Sequence, residues 1–168
     1  MGRTRYAAVA ALALVLALTS CSPRSHDHSR PGVKDEFVNS ADRICADHLT
    51  AVLDWLGRQQ SGSTYQQLAT QDEGIFRIMS TSIRRLEQLG PAPDPAGNAF
   101  RGYVKTLKAR ASLYRLAGVA ELHRDPVFAV QMQRRVDQID VLGDGYAHSY
   151  GLRICGIGAR DATKGLGA

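Results

Sequence analysis

The stretch DEFVNSADRICADHLTAVLDWLG, Asp35 to Gly57, marks a change in the character of the chain. Phe37, Ala41, Ile44, His48, Val52 and Trp55 recur at steps of three and four, with Cys45, Leu49 and Leu56 beside them. That spacing puts one apolar stripe on an α-helix. Asp35 and Glu36 stand where the helix dipole favours negative charge, and Gly57 supplies a stop. The pattern predicts a first helix over 36–57.

Three more helices follow by the same reasoning. Ser63 with Gln66, or Thr64 with Gln67 one residue later, reads as a capping box. The stripe Leu68, Ile75 or Phe76, Met79, Ile83 and Leu86 runs on to Gly90, where Pro91 and Pro93 forbid continuation. Gly74 looks like a weak spot worth about 1 kcal/mol against Ala. Asp94-Pro95 and Asp125-Pro126 each offer a capping carboxylate followed by a residue with no N–H to leave unpaired. The third helix carries Phe100, Tyr103, Leu107, Ala111, Tyr114 and Ala117, and ends near His123. The fourth carries Phe128, Met132, Val136, Ile139, Leu142, Tyr146 and Tyr150, and runs to about Cys155, with Gly143, Asp144 and Gly145 as a possible break. No strand alternation competes with this reading. Four long helices with short connections give an all-α, up-down-up-down four-helix bundle over 35–156, followed by a Gly-rich flexible tail over 157–168.

The N-terminus sets the compartment. Arg3 and Arg5 precede an unbroken apolar run from Ala7 to Leu18. Its 12 residues fall short of the roughly 20 needed to span a bilayer, as in a signal peptide over 1–20. The run ends in Leu18-Thr19-Ser20-Cys21, which resembles a bacterial lipobox. The resemblance implies cleavage before Cys21, diacylglycerol on its sulfur and an N-acyl chain (palmitate or similar) on its amine. Residues 21–34 are small, polar and Pro/Gly-rich, and read as a lipidated flexible tether. The expected place is the extracytoplasmic face of the cell membrane.

Cysteine count agrees with that placement. Of three Cys, lipidation consumes Cys21 and leaves Cys45 and Cys155 as an even pair, expected to be oxidised outside the cytosol. In an up-down-up-down bundle the first helix starts where the fourth ends, so the two Cys can meet. Their bridge would close a loop of about 110 residues, for which the chain-entropy model gives roughly 4.7 kcal/mol.

The segments FVNSADRIC (Phe37–Cys45) and YGLRICG (Tyr150–Gly156), with the lipobox and Leu113-Tyr114-Arg115-Leu116-Ala117, resemble a group of small actinobacterial, mycobacterial-type lipoproteins without an assigned activity. The resemblance implies a lipid-anchored helical domain in the cell envelope. It supplies no substrate and no catalytic residue.

Chemistry-bearing motifs are sparse. The inward Glu-x-x-His pairs of di-iron bundles, the Cys-x-x-Cys-His of c-type haem, the Gly-x-Ser-x-Gly elbow and the Walker loop are all absent from the sequence. No metal ligand set is expected. His26 and His28 flank Asp27 on the tether and read as solvated residues. His48, on the apolar stripe, reads as a hydrogen-bonded core or boundary residue ahead of a ligand. His148 lies near the end of the fourth helix, and His123 suits a helix C-terminus. Trp55, Tyr65, Tyr103 and Tyr114 read as packing residues, with a ligand cavity between helices as the alternative.

The net charge of +5 dissolves on inspection. Residues 1–20 hold two bases and no acid, and 21–34 hold three bases and Asp27. The remainder has 16 bases and 15 acids, so nucleic acid is not the expected partner. The sequence leads us to expect a non-enzymatic envelope lipoprotein without a cofactor beyond its lipid, anchored in the membrane and binding a protein partner. The alternative is a carrier of a small apolar ligand or lipid in a cavity between the helices.

Overall fold

The computed structural model describes residues 31–59, 64–93 and 96–156. Residues 1–20, Cys21, most of the expected tether, Ser63, the Asp94-Pro95 pair and the expected tail over 157–168 lie outside the described residues. Four helices follow in order: α1 Pro31–Arg58, α2 Tyr65–Gln88, α3 Gly97–Leu122 and α4 Pro126–Tyr150. Among the described residues there is no strand. Each helix packs on the next, α1 on α2, α2 on α3 and α3 on α4, as in the expected bundle.

Local chemistry sets most of the boundaries. Thr64 and Gln67 form the capping box, with Gln67 N–H donating to Thr64 Oγ1 at 3.3 Å and Thr64 N–H to Gln67 Oε1 at 3.2 Å. Asp125 Oδ1 accepts from the Phe128 N–H at 3.0 Å, and Pro126 opens α4. Two starts differ from the sequence reading. The α1 backbone is helical from Pro31, so the last four residues of the expected tether belong to the helix. The α3 helix starts at Gly97, with Ala96 as its N-cap and no side-chain cap. Ala92, just past α2, lies against Gly97, where a Cβ would be 3.2 Å from that of Ala92.

The end of α4 is also corrected. It stops at Tyr150, five residues before Cys155, because Gly151 takes a φ of 95° that a residue with a Cβ resists. Gly151 and Leu152 N–H groups close the helix onto the Ala147 carbonyl at 3.1 and 2.9 Å, a Schellman arrangement. Helix α4 runs unbroken through Gly143 and Gly145.

The buried face of α4 keeps Met132, Val136 and Tyr150 of the expected stripe and departs from it elsewhere. Ala129, Met132, Val136, Gly143, Ala147 and Tyr150 point inward, whereas Phe128, Leu142 and Tyr146 are exposed. Small residues fill the line that faces α3, and the two helices approach closely enough that a Cβ on Gly143 would meet Thr106 Oγ1 at 3.1 Å.

One end of the bundle is knit by aromatic rings. Phe37 of α1 packs edge-on to Phe100 of α3 at 4.8 Å and to Tyr150 of α4 at 5.8 Å. Lys34 Nζ sits 5.2 Å from the Tyr150 ring centre. The start of α1 and the end of α4 therefore share an end, as the up-down order requires. Beyond Gly151 the chain folds back over α1 and places Cys155 against Cys45. The disulfide is formed, with Cα atoms 5.1 Å apart.

Candidate functional site

The segment carrying Cys155 is held by a single carboxylate. Asp42, only 7% exposed, accepts backbone hydrogen bonds from Arg153 at 3.0 Å, Ile154 at 2.9 Å and Cys155 at 3.3 Å. Tyr103 of α3 donates its hydroxyl to the Cys155 carbonyl at 2.9 Å and lies 3.5 Å from Cys45 Sγ. Burial pushes the Tyr103 phenol upward, so it stays protonated and keeps donating.

Next to the disulfide lies a cavity of about 110 Å³, bounded by His48, Tyr103, Arg110, Tyr114, Asp140 and Asp144 among others. Arg110 Nε sits 3.1 Å from Asp140 Oδ1 as an ion pair, with its guanidinium 5.7 Å from the Tyr114 ring centre. Burial acts to depress the Arg110 pKa, but Tyr114 and Asp140 together outweigh it, so the pKa lies above its ordinary value. His48 Nδ1 is 3.2 Å from Ser82 Oγ, whose hydroxyl donates to the Ile78 carbonyl at 3.1 Å. His48 is thereby tied to α2. Burial, aided by the Arg110 charge, lowers its pKa to about 4, so the imidazole is neutral at pH 7. His48 thus sits as a hydrogen-bonded interior residue, while His148 is exposed on α4.

A much larger concavity occupies the other end of the bundle. It holds about 870 Å³ between the last turns of α1, the first half of α2 and the last turns of α3. Trp55, Ala69, Gly74, Ile78 and Gly118 line it, with Asp54, Arg58, Glu73, Arg77 and Arg115 also at its walls. The Trp55 indole N–H donates to the Gln71 carbonyl at 3.2 Å. Its ring lies on Gly74, where a Cβ would come within 2.1 Å. Arg77 pairs with Glu73 at 2.8 Å, and Arg115 lies 5.6 Å from the Phe76 ring centre.

Beside this groove, a Cβ on Gly118 of α3 would come 3.3 Å from Asp72 Cβ of α2. Burial first, then the Glu121 charge, raises Asp72 to about 7. Glu121 Oε2 is buried without a hydrogen-bond partner. Exposed aliphatic side chains of α3 crowd the same end: Leu116, Val119 and Leu122.

The four aromatics that the sequence singled out separate into different places. Trp55 lines the groove, Tyr103 and Tyr114 line the interior cavity, and Tyr65 is exposed at the start of α2. The sequence reading missed Arg110, Asp140, Asp42 and Asp72. The one local signal for the groove was the set Leu116, Val119 and Leu122, aliphatics three residues apart and off the core stripe. Among the described residues no cluster of three or more metal-ligating side chains occurs, and no helix is long and apolar enough to cross a membrane. No protein-family model, curated protein or solved structure matches the chain.

Proposed function

We propose that the chain is an envelope lipoprotein of the actinobacterial kind, acylated on Cys21, whose non-enzymatic bundle holds out a groove to a protein partner at the outer face of the cell membrane. The reading rests on one observation: a concavity of about 870 Å³, with a cluster of exposed aliphatics, lies at the end of the bundle opposite to the one where the chain enters. Helix α1 has 28 residues, so it carries the groove about 40 Å from its own start. A lipid on Cys21 would leave that end accessible from outside.

The groove suits an amphipathic helix. Its walls are three helices, and it presents Trp55 and aliphatic anchors within a rim of both charge signs, the composition of a binding hot spot with a polar border. A small apolar ligand is the second reading, and one observation favours it. The groove volume of about 870 Å³ falls within the roughly 300–1,000 Å³ of small-molecule pockets. The cavity beside Gly143, at about 110 Å³, falls below that range.

Crosslinking and mass spectrometry on the native host membrane tests the reading. The expected outcome is a defined protein joined to residues around the groove and lost in Leu122→Asp. A small molecule retained in native mass spectrometry, with no protein crosslink, supports the carrier reading instead. Crosslinks that survive Leu122→Asp and Val119→Asp unchanged overturn the groove as the docking site.

A further inference from the structure

We infer that the outer face of α4 rests on an anionic lipid surface and so orients the bundle on its anchor, an inference that rests on the lipoprotein reading above. Helix α4 is apolar on both sides. Its inward line packs on α3, yet Val127, Val130, Val141 and Leu142 face solvent, with Val141 73% and Val127 67% exposed. Val127, Val130, Arg134, Gln138, Val141 and Gly145 follow one another at steps of three and four, which is a single stripe of the helix.

The fully exposed charges within α4 are basic. Arg134 and Arg135 are exposed, whereas Asp137, Asp140 and Asp144, the acids within α4, are all partly buried. The Asp125 carboxylate at its N-cap is engaged by the Phe128 N–H. Of the other exposed acids, Asp35, Glu36, Asp47 and Asp54 belong to α1 and Glu87 to α2. Aliphatic side chains flanked by arginines fit the boundary between acyl chains and anionic headgroups.

Chain geometry points the same way. Lys34 against Tyr150 places the start of α1 beside the end of α4. The nine residues between Cys21 and Pro31 reach at most roughly 35 Å, so an anchor at Cys21 keeps that end of α4 near the bilayer. With α4 on the lipid, the groove walled by α1, α2 and α3 stays away from it. A second copy fits this face poorly. Arg134 stands midway between Val127 and Val141, so a two-fold pairing brings Arg134 onto its own counterpart.

The test is photocrosslinking of the acylated chain in vesicles of equal parts phosphatidylglycerol and phosphatidylcholine. Val141→benzoylphenylalanine is compared with Thr81→benzoylphenylalanine on α2. A phospholipid adduct at position 141 and none at 81, lost in pure phosphatidylcholine and in the Arg134→Glu/Arg135→Glu variant, is the expected result. Both arginines are exposed, so thermal unfolding serves to show that the double variant still folds. Equal adducts at both positions, a crosslinked dimer, or no adduct at 141 overturns the inference. The two readings fail separately. A chain from the host membrane without acyl groups on Cys21 overturns the anchoring. In that case co-sedimentation of the unacylated chain with the same vesicles, lost in the double variant, still reads the α4 face by itself.

Discussion

Asp42 reaches across 111 residues to hold the backbone of Arg153, and with it the position of Cys155. Three N–H groups converge on one buried carboxylate, so removing it leaves several donors unpaired at a cost of about 3 kcal/mol. Asp42→Ala and Cys155→Ser act on the same segment. A double-mutant cycle by denaturant unfolding is expected to show a coupling of about 1 kcal/mol or more, where independent sites would add. Two titrating residues bear on stability in opposite directions. His48 is held at about 4 against an ordinary 6.5, so the unfolded chain binds the extra proton between those values. The stability contributed by neutral His48 is present above about pH 6.5 and is lost as pH falls toward 4. Asp72 is raised to about 7 from 3.8, so the folded chain binds the extra proton, and stability is lost as pH rises from 3.8 through 7. His48→Gln is expected to flatten the acid-side loss. Asp72→Asn is expected to raise the melting temperature at pH 8, with the gain shrinking as pH falls toward 4. Thermal scans from pH 4 to 8 separate the two. Neither effect was legible from the sequence, because both arise first from burial in the assembled bundle, and the charges that add to it, Arg110 and Glu121, lie 62 and 49 positions away.

At the scale of elements, what was legible was what is local. The Thr64–Gln67 box, the Asp125-Pro126 start and the Gly90 stop depend on neighbours within a turn, and each stands where the sequence put it. The face of α4 was read correctly at Met132, Val136 and Tyr150 but misread at Phe128, Leu142 and Tyr146, large apolar residues that drew the stripe, whereas close packing selected Ala129, Gly143 and Ala147. Gly74 reverses its reading too. As a helix residue it costs about 1 kcal/mol against Ala, but a Cβ there would strike the Trp55 ring. Gly74→Ala is therefore expected to destabilise by about 1–3 kcal/mol through overpacking. Trp55 is the only tryptophan, so its fluorescence should shift as the ring is displaced. A stabilised variant with unchanged emission would contradict the packing of α1 on α2.

At the scale of the molecule, the disulfide joins the middle of α1 to the segment after α4 with a separation of 110 residues. Up-down order was readable because two Cys had to meet, and the topology offered a place for it. The division of labour around the bundle was not readable, since the exposure of Val127, Val130 and Val141 on α4 emerges only when the helices are assembled. Reducing the disulfide is expected to lower unfolding stability by about 4.7 kcal/mol or less, measured by urea titration with and without reductant. An unchanged midpoint would mean that Asp42 and Tyr103 hold the segment without the bridge. The partner groove and the lipid-facing helix both take their orientation from the anchor on Cys21. The most direct measurement is the intact mass of the chain extracted from its host membrane without reductant. The account predicts a chain that begins at Cys21, carries diacylglycerol and an N-acyl chain there, and lacks the two hydrogens of the Cys45 and Cys155 thiols. A chain that retains residues 1–20, or one with an unmodified Cys21, would contradict it.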